Sequence, residues 1–203
     1  MTVLLCDLDG VLVDSTAAIA RVYREWAARR GLDGDVVVRT AQGTPSREVV
    51  RALLPELDAV VESEVIEAAH VADQEGVVAV AGAREVLLGD RVAVVTSCSP
   101  ALAAARFAAA GLPAPEVLVT TSEVARGKPD PEGYLLAAAR LGAAARECVV
   151  LEDAPAGVAA GLAAEMRVIA VLTSHSRSEL TGAHAYVADL RGVRALAAEL
   201  VVG

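Results

Sequence analysis

The stretch Val3-Leu4-Leu5-Cys6-Asp7-Leu8-Asp9-Gly10, near the start of a 203-residue chain, joins an apolar run to two carboxylates two residues apart. A short apolar run closed by a glycine predicts a buried strand that ends in a turn. In a parallel sheet the carboxyl ends of the strands are where ligands bind. Side chains at i and i+2 of an extended segment point the same way, so Asp7 and Asp9 are expected to address one bound group from one side. Carboxylates this close repel and call for a cation, a shared proton or a lysine nearby. Asp-x-Asp-Gly also occurs in calcium loops and ordinary turns, so the motif alone leaves both readings open.

Downstream, Asp14, Ser15 or Thr16 can cap a helix running through Ile19, Val22, Tyr23 and Trp26 to Gly31. Further helices are predicted over 46–54 and 56–72, with few strand signals between them. From 83 onward helices alternate with strands: helix 83–89, strand Val92–Val95, helix 100–110, strand Val117–Val119, helix 131–141, strand Val149–Leu151, helix 155–164, strand Val168–Val171, and a weak strand at Tyr186-Val187. This alternation implies βαβ units, hence an α/β fold with a Rossmann-like parallel sheet and helices on both faces. The helical block interrupts it directly after the first strand. The expected organisation is a core of residues 1–14 and 82–203 with an inserted α-helical subdomain, 15–81. Hinges are expected at 13–15 and 80–83, with Gly82 as the pivot.

Apolar residues make up 55% of the chain and aromatics 2%, so the core is built from Ala, Val and Leu. No segment runs for about 18 residues without charge, which predicts no membrane span. The chain enters its first strand with no basic region or cleavage site, which argues against a secretory signal. Cys6, Cys98 and Cys148 are odd in number and far apart, as expected of buried thiols in a reducing cytoplasm. A net charge of −9, no Lys/Arg run and almost no aromatics for base stacking argue against a nucleic-acid partner. The expected partner is a small molecule, the expected location cytoplasmic, and the expected state a monomer or weak homodimer.

The residues with chemical potential fall at the carboxyl ends of the predicted strands: Asp7 and Asp9, Thr96-Ser97, Lys128 ahead of the helix at 131, and Glu152-Asp153. Such a fold brings them to one sheet edge. There they offer carboxylates for a hard divalent cation, a hydroxyl with backbone N–H groups for phosphate oxygens, and a lysine to offset negative charge.

Asp7-Leu8-Asp9-Gly10-Val11-Leu12-Val13-Asp14-Ser15, Val94-Val95-Thr96-Ser97, Gly127-Lys128-Pro129 and Leu151-Glu152-Asp153-Ala154-Pro155-Ala156-Gly157 resemble, in order and spacing, the four motifs of the haloacid dehalogenase-like hydrolase superfamily, in the type with a helical cap after the first motif. The resemblance covers essentially the whole chain. It implies a Mg²⁺-dependent phosphomonoester hydrolase working through an aspartyl-phosphate. By resemblance, Asp7 is the nucleophile, and Asp9 is the general acid for the leaving alkoxide and then the base for water. Dehalogenases and phosphonate-cleaving relatives lack an aspartate at the second position, which favours C–O–P chemistry. Asp153, the Asp7 carboxylate and the Asp9 backbone carbonyl would hold Mg²⁺, with Glu152 contributing directly or through water. Lys128 would bridge Asp7 and the phosphate. Thr96 would offer its hydroxyl and Ser97 its N–H to phosphate oxygens, and Leu8 joins the phosphate-binding positions. His70, His175 and His184 receive no role. Many relatives have Gly-Met where this chain has Glu165-Met166; the glycine normally ends a helix, so a local stability cost is expected.

The cap loop Gln42-Gly43-Thr44-Pro45-Ser46-Arg47 is the candidate for substrate choice. Gly43 would let the backbone approach the ligand and Arg47 could meet a second anionic group; alternatively Ser46 caps the next helix and Arg47 is solvated. The segments Glu75-Gly76-Val77-Val78 and Pro129-Asp130-Pro131-Glu132-Gly133-Tyr134 look most like small sugar and polyol phosphatases, acting on glycerol, 2-deoxyglucose or sugar-alcohol phosphates. The alternatives are a phosphosugar mutase of the β-phosphoglucomutase type, a phosphoglycolate phosphatase, or a binding module without catalysis. Against the mutase, Thr16-Ala17-Ala18-Ile19-Ala20 lacks the histidine that mutases carry there.

Overall fold

The structure is a computed structural model and describes residues 2–41 and 44–202. In chain order its elements are β1 (Val3–Cys6), β2 (Val13–Asp14), α1 (Thr16–Arg29), α2 (Gly34–Ala41), α3 (Ser46–Leu53), α4 (Ala59–Ala72), β3 (Val78–Ala79), α5 (Ala83–Leu87), β4 (Val92–Val95), α6 (Pro100–Ala109), β5 (Val117–Val119), α7 (Glu132–Arg140), a 3-10 turn (Ala145–Glu147), β6 (Cys148–Glu152), α8 (Pro155–Ala163), β7 (Arg167–Val171), β8 (Ala185–Val187) and α9 (Val193–Val202).

Six strands form one sheet in the order β5-β4-β1-β6-β7-β8, and every pairing in it is parallel. Parallel strands covered on both faces read as unbroken apolar runs, which is what Val-Leu-Leu-Cys of β1 and Val-Ala-Val-Val of β4 are. On one face Val3, Leu5, Ala93 and Val150 pack against Tyr134 and Ala137 of α7 and Val158 and Ala160 of α8. From β1 the chain reaches β4 and β5 on one side, then returns to build β6, β7 and β8 on the other. That reversal beside β1 opens a crevice at the carboxyl ends of the strands.

The contacts divide the chain into two compact units: Met1–Asp14 with Val78–Gly203, and Ser15–Val77. The second boundary falls four residues before the expected one, because Val78 and Ala79 pair antiparallel with Asp14 and Val13 and so join the sheet unit. Gly82 is no pivot. The Leu190 N–H donates to the Ala81 carbonyl at 2.9 Å, and a side chain at 82 would run into the Leu190 and Arg191 backbone, so this segment is packed inside the sheet unit.

In the helical unit Val22, Tyr23, Trp26, Val37, Val49, Val50 and Ile66 form a separate core. Glu62 of α4 ties it together, accepting from Trp26 Nε1 at 2.9 Å and from Arg30 at 2.5 Å. Helix α2 is absent from the sequence expectation, and its Val36-Val37-Val38 run is of a type that favours extended structure. It forms because the Asp33 side chain accepts from the N–H groups of Asp35 and Val36 (2.8 and 3.1 Å), and because Val37 and Ala41 are buried. Helix α9 was likewise not expected. Among the described residues no helix is long and apolar enough to cross a membrane.

Candidate active site

β1 ends at Cys6, and the next residues turn. Gly10, at φ 79°, lets the chain fold back so that Leu12 and Val13 donate to the Leu8 carbonyl at 2.9 and 3.0 Å. A side chain at position 10 would overlap the Asp153 carboxylate, so this glycine also makes room for that carboxylate. Because the extended segment stops at Cys6, the rule that i and i+2 share a side does not reach Asp7 and Asp9. Their carboxylates meet different partners, Lys128 for Asp7 and Arg106 and Cys98 for Asp9.

Asp7 faces Lys128. The ammonium donates to Asp7 Oδ1 at 2.6 Å, to Glu152 Oε1 at 2.6 Å and to the Val95 carbonyl at 3.0 Å. Glu152 Oε1 also accepts from the buried Tyr134 hydroxyl at 2.8 Å, and Oε2 accepts from the N–H groups of Asp153 and Ala154 at 3.0 and 3.3 Å. Burial pushes the Asp7 carboxyl up to about 7 against the pull of Lys128, with Glu152 and Asp9 adding to the rise. Burial alone would depress the Lys128 ammonium, but Asp7 and Glu152 more than reverse that and hold it above the ordinary lysine range. Burial, with Glu152 and Asp7 adjacent, holds the Asp153 carboxyl well above the usual carboxylate range.

Asp9 turns to α6. Its Oδ1 lies 3.0 Å from Arg106 Nε, and its Oδ2 accepts from Cys98 Sγ at 2.9 Å. The adjacent strand end supplies Thr96, whose hydroxyl oxygen accepts from the Cys98 N–H at 3.1 Å. That leaves the hydroxyl hydrogen as a donor for an incoming oxygen.

Oxygen atoms of Asp7, Glu152 and Asp153 lie within 4.8 Å of one another. Three carboxylates against one ammonium leave a formal double negative charge in a buried place. A hard divalent cation with oxygen ligands fits that set.

A family model described as haloacid dehalogenase-like hydrolase matches residues 1–165. The chain belongs to this family. The hydrolase is 46% identical to hexitol phosphatase A of Escherichia coli K12, over 82% of this chain and 81% of the relative. It is 32% identical to 2-deoxyglucose-6-phosphate phosphatase 1 of Saccharomyces cerevisiae, over 93% and 88% of the two chains. Among solved structures, a HAD family hydrolase from Deinococcus radiodurans R1 with bound phosphate and sodium superposes with a TM-score of 0.75 at 32% identity, covering 98% of this chain and 96% of that one.

In this hydrolase Asp7, Lys128, Glu152 and Asp153 are brought together, with Thr96 at the next strand end and Ser97 exposed beside it. Leu8 is wholly buried and its carbonyl is occupied by the turn, so only its N–H is available to a phosphate. Both oxygens of Glu152 accept from protein donors, Lys128 and Tyr134 at Oε1 and two backbone N–H groups at Oε2. Arg47 is exposed on α3 of the helical unit, and Gly43 lies outside the described residues. Ser46 does not cap α3 from outside; it lies within the helix, and its hydroxyl meets Tyr23 Oη at 2.9 Å.

Several residues that the sequence reading gave no part in the site stand around it. Tyr134 donates to Glu152, Cys98 donates to Asp9, and Arg106 lies in ion-pair contact with Asp9. The loop after β7 braces the site: the Thr173 hydroxyl donates to the Gly10 carbonyl, Ser174 Oγ to Asp153 Oδ2, and His175 Nδ1 lies 2.9 Å from the Asp153 carbonyl. The available signal was a further polar cluster, Thr173-Ser174-His175-Ser176, just beyond a predicted strand.

Proposed function

We propose that this hydrolase is a Mg²⁺-dependent phosphomonoesterase for small sugar or polyol phosphates, working through an aspartyl-phosphate on Asp7. The observation that carries the proposal is the contact of Lys128 with both Asp7 and Glu152 at 2.6 Å, with the Asp153 carboxylate beside them. Lys128 occupies Oδ1 of Asp7, which leaves Oδ2 to attack phosphorus. The phosphorus–oxygen bond to the alcohol breaks as the new one forms, and Asp9 gives its proton to the departing alkoxide. Water then attacks the aspartyl-phosphate, Asp9 takes a proton from it, and inorganic phosphate leaves with Asp7 restored. Thr96 and the N–H groups of Leu8 and Ser97 hold the phosphate oxygens. Asp7, Asp153 and the Asp9 carbonyl would hold Mg²⁺, whose charge lets two anions, Asp7 and the phosphate, approach one another.

The substrate class follows the names of the similar enzymes, which act on hexitol and 2-deoxyglucose phosphates. The test is phosphate release with Mg²⁺ from glycerol phosphates, hexose and hexitol 6-phosphates, phosphoglycolate and β-glucose 1-phosphate. Turnover should be strongest on a sugar or polyol phosphate, vanish in Asp7→Asn, and stop reversibly in excess EDTA. Half-maximal activity in Asp7→Asn would remove the nucleophile assignment, and full activity in EDTA the metal.

A further inference from the structure

Arg106 projects from α6 and is wholly shielded from solvent. A guanidinium keeps its charge in a protein, so burying it is costly unless an anion meets it. The carboxyl group that meets it is Asp9, whose Oδ1 lies 3.0 Å from Nε. The second oxygen of Asp9 is held separately, by the Cys98 thiol at 2.9 Å. Cys98 is itself buried and fixed by its N–H to the Thr96 hydroxyl. One oxygen of Asp9 is thus in ion-pair contact with Arg106, outside hydrogen-bond geometry, and the other accepts from Cys98; both groups come from the segment that follows β4. An ion pair buried in this way is a poor source of stability compared with apolar packing. The rest of α6 is apolar, Pro-Ala-Leu-Ala-Ala-Ala-Arg-Phe-Ala-Ala. A charge in that setting calls for a purpose at the carboxylate it meets.

We propose that Arg106 and Cys98 are positioning residues for the acid–base step, fixing the direction in which Asp9 presents its carboxyl group without touching substrate themselves. This rests on the reading of Asp9 as general acid given under Proposed function. A misdirected Asp9 would fail mainly where the leaving group needs a proton. An alkoxide is a poor leaving group and needs one, whereas p-nitrophenoxide departs without it.

The experiment compares kcat and KM, with Mg²⁺, on a hexitol 6-phosphate and on p-nitrophenyl phosphate for wild type, Asp9→Asn, Arg106→Lys, Cys98→Ala and Cys98→Ser. Asp9→Asn sets the scale of discrimination between the two esters. Arg106→Lys and Cys98→Ala should each lower kcat on the hexitol ester about tenfold more than on the aryl ester, with KM little changed. Cys98→Ser, which restores a donor to Oδ2, should recover most of the loss. Should Arg106→Lys fold poorly, Cys98→Ala, which removes a single sulfur, still decides. Equal losses on both esters, or none, while Asp9→Asn discriminates, would overturn the inference and leave the acid assignment standing. If Asp9→Asn itself treats the two esters alike, the acid reading fails and the inference falls with it.

Discussion

Asp153 depends on a residue 21 positions downstream, because the Ser174 hydroxyl donates to its Oδ2 and also meets the Asp153 carbonyl at 3.0 Å. A ligand carboxylate that is free to rotate binds a cation less well than one held in place, and outer hydrogen bonds of this kind are typically worth about 10–100-fold in metal affinity. Ser174→Ala should therefore weaken Mg²⁺ or Mn²⁺ binding within that range, read by calorimetric titration of the protein without substrate. Unchanged metal affinity would contradict the bracing role. The sequence makes Asp153 readable and hides Ser174. Motif residues announce themselves by type and spacing, whereas a supporting hydroxyl is recognisable only once β6 and β7 lie side by side. The same applies to Tyr134 and Arg106. In the sequence they look like ordinary helix residues, and in the fold one reaches Glu152 and the other Asp9.

Among the elements, α8 ends in an instructive way. The Glu165 N–H donates to the Leu162 carbonyl at 3.0 Å and the Met166 N–H to the Gly161 carbonyl at 3.1 Å, the paired bonds of a Schellman turn. That turn places its closing residue at positive φ, and Glu165 sits at 58°. The same pair of bonds closes α7, where the residue in that place is Gly142. An L side chain in this region costs about 1–2 kcal/mol, partly offset because glycine gives the unfolded chain more freedom. Glu165→Gly should therefore stabilise the protein by about 0.5–1 kcal/mol, raising the melting temperature by a few degrees. An equal or lower melting temperature would contradict this account. Here the expected local cost is visible as a backbone angle. Helix α2, in contrast, was illegible: three successive valines speak for a strand, and burial of Val37 and Ala41 overrides them.

On the scale of the whole molecule, the sheet order places β1 between β4 and β6, so three strand ends meet where the chain reverses direction. This is why Asp7, Thr96 and Glu152-Asp153, separated by up to about 150 positions in the sequence, belong to one place. The strands and their polar ends were legible because buried parallel strands are plain apolar runs. The unit boundary was less so, since the two-residue pairing of β2 with β3 carries no apolar pattern to betray it. The central claim is that Asp7 becomes phosphorylated during turnover. The most direct measurement is mass spectrometry of peptides from enzyme acid-quenched during steady-state hydrolysis of a hexitol 6-phosphate. The account predicts one phosphoryl group on the peptide containing Asp7 in wild type and none in Asp7→Asn. Turnover with that peptide unmodified, or a label on another residue, would contradict it.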